Sequence, residues 1–274
     1  MFVIMPNEGY HTHNIIAFSE LGPLPFTNSC ITIGNFDGVH LGHQAIIKRM
    51  VKNAHPQNRS VVVVTFFPNP ADFFSQQKDN FYLSTPSEKE AILKELGVDH
   101  VVTFKFDRDF ANLCPREFLS ALKNKLGLSV LVVGEDFALG KNRVGTLPVI
   151  REIGEAMSFA LVTISPVRMD HKEISSTKIR QLLDAGDVPS AAELLGRYYA
   201  ISGIVTQGSD RGSKIGLPTA NITHWPRKKL PAIGVYATLV DVKGNTYHGI
   251  SNVGYRPTFE HQELPNIETH ILAF

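Results

Sequence analysis

Ile31-Thr32-Ile33-Gly34-Asn35-Phe36-Asp37-Gly38-Val39-His40-Leu41-Gly42-His43 joins an apolar run to a glycine-rich turn and two histidines, and leads into an amphipathic segment, Gln44–Asn53. The apolar run reads as a strand and the segment after the turn as a helix. Gly34, Gly38 and Gly42 permit tight turns and close approach of backbone to a ligand. The helix start offers unpaired N–H groups and positive dipole potential, which suit a phosphate. His40 and His43 flank Gly42 at that point. Imidazoles there can donate hydrogen bonds to phosphate oxygens and stabilise charge growing on a leaving pyrophosphate. The competing readings are a zinc pair or two ordinary surface histidines. Zinc would need further ligands, and no Cys or acidic partner stands at a recognisable spacing.

Around this stretch, strand and helix signals alternate. Val61–Phe67 is continuously apolar and mostly β-branched, as a strand buried on both faces should be. Val101–Phe106, Val130–Val133 and Ala160–Ile164 are further strand candidates. Thr85-Pro86-Ser87-Glu88 has the form of a capping box, followed by Ile92, Leu93 and Leu96 on one face and by Gly97 as the stop. Pro115 opens another helix, with Phe118, Leu119, Leu122 and Leu126 on one face and Gly127 at its end. This alternation predicts an α/β fold, a doubly wound parallel sheet with helices on both faces. Ligands of such sheets bind at the carboxyl ends of the strands.

The pattern changes after about residue 185. Gly186-Asp187-Val188-Pro189 punctuates the chain, and a short Ala/Leu helix runs to Gly196. Strand signals follow at Tyr198–Thr206, Gly234–Val242 and Thr246–Asn252, with Gly244-Asn245 marking a hairpin and no helix pattern after Gly196. The expected organisation is an α/β domain over 1–186 and a small antiparallel β-barrel over 187–274. The first thirty residues carry little signal.

Composition narrows the function classes. The chain has 274 residues, a length that suits one large domain or two ordinary ones, and 43% hydrophobic residues, enough for at least one real core. Its net charge of +1 argues against a generic electrostatic binder of nucleic acid or anionic lipid. The two cysteines, Cys30 and Cys114, form neither a disulfide framework nor a metal-binding pattern. The longest apolar run is too short to span a bilayer, and no basic region precedes the apolar residues at the N-terminus. A soluble cytoplasmic protein is the expectation. The sequence leaves the oligomeric state open.

The first stretch resembles the nucleotidylyltransferase superfamily. Its longer string, Gly34 to His43, is similar to the FMN adenylyltransferase module of bacterial bifunctional riboflavin kinase/FAD synthetases. Three other segments agree in order: Thr65-Phe66-Phe67-Pro68-Asn69-Pro70, Val133-Gly134-Glu135-Asp136-Phe137-Ala138-Leu139-Gly140 and Ile174-Ser175-Ser176-Thr177-Lys178-Ile179-Arg180. Asn69 stands where the family commonly has His, and Leu139 where it has Phe. The third segment makes physical sense alone. Ser175, Ser176 and Thr177 bring hydroxyls and N–H groups to a helix start, and Arg180, a turn on, can add a bidentate phosphate contact. A plain helix cap with a solvated Arg is the competing reading. The resemblance implies ATP and phosphate contacts at Gly34, Asn35, Phe36, Asp37, Gly38, Gly42, Ser175, Ser176 and Thr177. It also implies catalysis by His40, His43 and Arg180, and a flavin contact at Asp136.

Gly203 to Ile222 is dense in glycine and punctuated by charge. Gly208, Gly212 and Gly216 suit a loop that folds over phosphate. Thr219 and Asn221 share a side if the chain there is extended, and their oxygens suit Mg²⁺. An irregular loop with a Pro turn is the alternative. The string resembles the riboflavin kinase signature, as do Gly234-Val235-Tyr236-Ala237 and Asn252-Val253-Gly254-Tyr255-Arg256-Pro257-Thr258-Phe259. The resemblance implies Mg²⁺ held through Thr219 and Asn221, flavin contacts at Asn252 and Arg256, and a catalytic base at Glu268. The implied activity is phosphorylation of riboflavin by ATP, then adenylylation of FMN to FAD. The alternatives are an adenylyltransferase alone, or a flavin-binding module without chemistry. The chain stops in the apolar run Ile271-Leu272-Ala273-Phe274, which predicts a truncated barrel with an open edge, a frayed Glu268 and weak kinase activity.

Overall fold

Val61, Val62, Val63 and Val64 are all fully buried, and the strand they belong to lies inside a parallel sheet, covered on both faces. The computed structural model describes residues 1–6, 15–23, 27–75, 81–165, 168–169, 172–206, 218–255 and 265–272. In chain order the first elements are β1 (Phe2–Pro6), β2 (Ile15–Ile16), β3 (Ser29–Ile33), α1 (Leu41–Ala54), β4 (Ser60–Phe67), α2 (Pro70–Ser75), α3 (Pro86–Glu95), β5 (His100–Lys105) and α4 (Arg108–Ala111). Then come α5 (Pro115–Leu126), β6 (Leu128–Gly134), α6 (Leu147–Met157), β7 (Ala160–Ile164), β8 (Arg168–Met169), β9 (Lys172–Glu173), α7 (Ser176–Asp184) and α8 (Val188–Leu195). The last strands are β10 (Ala200–Thr206), β11 (Ala220–His224), β12 (Gly234–Val242), β13 (Asn245–Gly254) and β14 (Asn266–Ile271).

Two compact units result. One comprises Thr12–Gln77 and Pro86–Ile174. Its sheet has the order β2-β5-β4-β3-β6-β7, with every pair parallel. From β3 the chain winds outward through β4 to β5, then returns to place β6 on the other side of β3. The carboxyl ends of β3 and β6 therefore flank a topological switch point, where open α/β sheets bind ligands. One face packs on α5 and α6 through Phe118, Leu122, Ile150 and Ile153; the other packs on α1 and α3 through Ile47, Met50 and Leu93. Cys30 is buried in that second core, and burial pushes its thiol up to about 11. It is an inert packing residue.

The other unit comprises Met1–His11, Lys78–Thr85 and Ser175–Phe274. Spatial packing thus interleaves in sequence. Ile179 and Leu183 of α7 share a core with Val188 and Leu195 of α8 and with Ile201, Ile222, Val253 and Ile267 of the strands. The strands form a closed barrel in the order β1-β10-β11-β14-β13-β12. The hairpin of β12 and β13 turns on Lys243 and Gly244, with φ of 52° and 82°. This is one residue earlier than the sequence signal placed it. Two positive φ values make a type I′ turn, and Gly244 supplies the position easily.

The expected open barrel is corrected by this topology. β14 is paired on both sides, with β11 and β13, so Glu268 is not on a free edge. The remaining gap, between β10 and β12, is filled by β1, which runs parallel to both. The first residues, without signal in the sequence, thus supply a barrel strand. Ile4, 3% exposed, anchors it in the core. Ile4→Ala should therefore cost about 2–5 kcal/mol of barrel stability. Denaturant unfolding would check this, and a loss below about 0.5 kcal/mol would mean that β1 does not close the barrel.

Candidate functional site

The loop between β3 and α1 is folded tightly against its own helix. His40 is the N-cap of α1, and its Nδ1 accepts a hydrogen bond from the His43 backbone N–H at 3.4 Å. The two imidazoles stack, with ring centroids 3.7 Å apart and planes 18° from parallel. Gly42 gives the His40 ring room, because a Cβ there would lie 3.1 Å from it and the ring would have to give way by a few tenths of an ångström. Phe36 and Val39 take φ of 48° and 39°, left-handed values for residues other than glycine. Each costs about 1–3 kcal/mol and persists only where the surroundings enforce it.

Those surroundings include two side chains that the sequence reading did not assign to the site. Lys89 of α3 donates from Nζ to the Asn35 carbonyl at 2.9 Å and to Thr65 Oγ1 at 3.0 Å. Thr65 Oγ1 donates in turn to the same Asn35 carbonyl at 3.1 Å. Burial pushes the Lys89 amine down to about 8, opposed by the charge of Asp37. His43 is held well below the ordinary imidazole value, first by burial and then by the charges of His40 and Lys89. It is therefore a neutral ring at pH 7, and its buried Nδ1 makes no hydrogen bond within the protein. A neutral imidazole still has one N–H to donate.

A cleft of about 610 Å³ opens at the switch point. Gly34, Asn35, Phe36 and His43 line one side, and Gly134, Asp136, Phe137 and Leu139 another. Phe66, Phe74, Phe106 and Phe110 form an aromatic wall, with edge-to-face contacts such as Phe66–Phe110 at 5.3 Å. Such a wall suits a large planar ring, and the volume is that of a small-molecule site. The structure thus brings the histidine loop and Asp136 to one cleft. Asn69, where the sequence departs from the common His, caps α2: its Oδ1 accepts from the Ala71 N–H at 2.9 Å.

In the barrel unit, Ser175 is the N-cap of α7 and accepts from the Lys178 N–H at 3.2 Å. Arg180 Nε donates to the Phe81 carbonyl at 2.8 Å, and its guanidinium lies 4.2 Å over the Phe81 ring. Ser176 is half-buried and Thr177 exposed on the same first turn.

A second cluster lies on the outer face of the barrel. The strand registers place Asn221 opposite Glu268, and Glu268 opposite Asn252, so the three form one cross-strand row. Ile222, Ile267 and Val253, one position away in each strand, fill the core instead. Asn266, which the sequence reading missed, donates from Nδ2 to Asn221 Oδ1 at 3.0 Å and to Glu268 Oε1 at 3.3 Å. Thr219 is exposed just ahead of β11. Gly208, Gly212, Gly216 and Arg256 lie outside the described residues. Among the described residues no group of three His, Cys, Asp or Glu could hold a metal ion. The side-chain oxygens of Thr219 and Asn221 are hard donors of the kind a divalent cation takes.

Two family models match the chain, FAD synthetase over residues 25–178 and riboflavin kinase over residues 195–274. A bifunctional riboflavin kinase/FMN adenylyltransferase of Bacillus subtilis is 35% identical over 267 residues, covering 96% of this chain and 82% of its own. One of Escherichia coli is 37% identical over 259 residues, covering 92% and 81%. A solved structure named as a macrolide-efflux protein from Streptococcus pneumoniae superposes with a TM-score of 0.82 at 29% identity, covering 95% of this chain and 85% of that one.

Proposed function

Since the chain belongs to the bifunctional riboflavin kinase/FMN adenylyltransferase family, we infer that it makes FAD from riboflavin in two ATP-dependent steps. The carrying observation is that two polar clusters, one at the sheet's switch point and one on the barrel's outer face, sit on the two matched segments. Motifs for adenylyl transfer belong to residues 1–186 in this reading, and those for phosphoryl transfer to residues 187–274.

Riboflavin's 5′-hydroxyl must lose its proton as its oxygen bonds to the γ-phosphorus of ATP and ADP departs. In this reading Glu268 accepts that proton, and the hydrogen bond from Asn266 Nδ2 to its Oε1 supports the role. Thr219 and Asn221 would contact the Mg²⁺ carried by the triphosphate, which would neutralise charge on the transferring phosphoryl group. FMN needs no base, because its phosphate is already ionised. Its oxygen bonds to the α-phosphorus of ATP while the bond to the β-phosphate oxygen breaks and pyrophosphate leaves. His40 and His43 donate hydrogen bonds to the charge developing there, and the aromatic wall and Asp136 receive the flavin. Family resemblance assigns phosphate contacts to Ser175, Ser176, Thr177 and Arg180 as well.

The test is to incubate the purified chain with ATP, Mg²⁺ and either riboflavin or FMN, and to resolve the flavins by chromatography. FMN and FAD should form from riboflavin, and FAD from FMN. No product from either would overturn the reading. FAD from FMN alone would leave an adenylyltransferase. Among the described residues no helix is long and apolar enough to cross a membrane. Gly42→Ala should slow FAD formation about tenfold by pushing the His40 ring aside, without changing FMN formation. Equal FAD rates in mutant and parent would show that the ring position is unimportant.

A further inference from the structure

We propose that Lys89 is a positioning residue of the adenylyl-transfer cleft, its ammonium pinning the Asn35 carbonyl and so holding the loop that presents His40 and His43. The proposal rests on the reading of that cleft given above. Lys89 lies on α3, 54 residues from Asn35, and is only 6% exposed. A buried ammonium is costly unless it is hydrogen-bonded and charge-compensated. Here the compensation is specific: the Asn35 carbonyl, Thr65 Oγ1 and the nearby charge of Asp37, itself 2% exposed. Lys89 on α3 is thereby tied to two other elements, the end of β4 and the β3–α1 loop. The carbonyl that Lys89 holds belongs to the residue just before Phe36, the first of the two left-handed residues of the loop. Releasing it lets Phe36 and Val39 relax, and the stacked histidines move with them.

The same ammonium acts electrostatically. Among the described residues, the charged or titratable groups that act on His43 and Lys89 include His40 and His43 themselves from the helix start, Asp37 from the loop and Lys89 from α3. With Lys89 charged, a proton is disfavoured on His43, which stays a neutral donor. When pH rises through about 8, Lys89 loses its proton and weakens its grip on the carbonyl. FAD formation should therefore decline in that range, and FMN formation by the same chain should not.

The experiment compares Lys89→Met, Lys89→Arg and His43→Ala in the full chain, measuring FAD formation from FMN and FMN formation from riboflavin between pH 6 and 9. Lys89→Met should lower kcat for FAD formation on the order of 10²-fold, with KM for ATP changed far less, because loop placement limits the reacting geometry. FMN formation should stay within twofold. Lys89→Arg should recover much of the rate and abolish the decline near pH 8, since a guanidinium keeps its charge. Lys89→Met with FAD formation within twofold of the parent would overturn the proposal. So would an equal fall of both activities, which would mark Lys89 as a residue of folding alone, or an unchanged alkaline decline in Lys89→Arg. If His43→Ala is active, the cleft reading fails and the proposal with it. If His43→Ala is inactive but Lys89→Met is not, only the role of Lys89 fails.

Discussion

Replacing Glu268 by Gln should lower FMN formation from riboflavin by about 10²–10⁴-fold while FAD formation from added FMN continues at the parent rate. Glutamine keeps the size and the hydrogen bond from Asn266, but it cannot take the proton of the 5′-hydroxyl. The asymmetry follows from the substrates: a hydroxyl needs a base and an ionised phosphate does not. The position of Glu268 makes so large an effect plausible on physical grounds. β14 is paired on both sides, Asn221 and Asn252 flank the carboxylate in register, and Asn266 Nδ2 holds its Oε1. A base held in this way loses little rate to misplacement. The check is a steady-state comparison of both activities in one preparation. An equal rate of FMN formation in Glu268→Gln would remove Glu268 from the chemistry.

His43→Ala is the complementary case. It should reduce FAD formation on the order of 10²–10³-fold and leave FMN formation intact. His43 is half-buried, neutral and stacked on His40, so in the role proposed for it its N–H would meet developing charge where water competes poorly. FMN binding, measured by quenching of flavin fluorescence, should change little, because the donor acts on the reacting phosphate and not on the isoalloxazine ring. Loss of FMN affinity equal to the loss of rate would instead make His43 a binding residue. His40→Ala should show a similar fall in rate, with a further cost in helix stability, since it also removes the N-cap of α1.

The relation between local pattern and long-range contact explains which parts of this molecule were legible in advance. Val61–Phe67 could only be a strand covered on both faces, and β4 extends one residue beyond it. Pro86 and Pro115 start their helices, and Gly127 ends the second of them, as their chemistry requires. The Gly34–His43 loop announced a tight turn into a helix start because glycine, histidine and the amphipathic segment stand next to one another in the chain. The row of Asn221, Glu268 and Asn252 was visible only through likeness to a family, since three strands far apart in sequence carry it.

The sequence by itself determined the alternating sheet and its helices, the change to antiparallel strands near residue 185, and the histidine turn, because each is written in neighbouring residues with a fixed period or a fixed turn geometry. Only the tertiary structure decided that residues 2–6 close the barrel beside β10 and β12, that Asn266 bridges Asn221 and Glu268, and that Lys89 reaches the Asn35 carbonyl. Five apolar residues fit any free edge, and a lysine on a helix reads as solvated. Their partners lie tens to hundreds of residues away, and the pairing is selected by the hydrogen-bonding groups and apolar surface that the rest of the folded chain leaves to be satisfied.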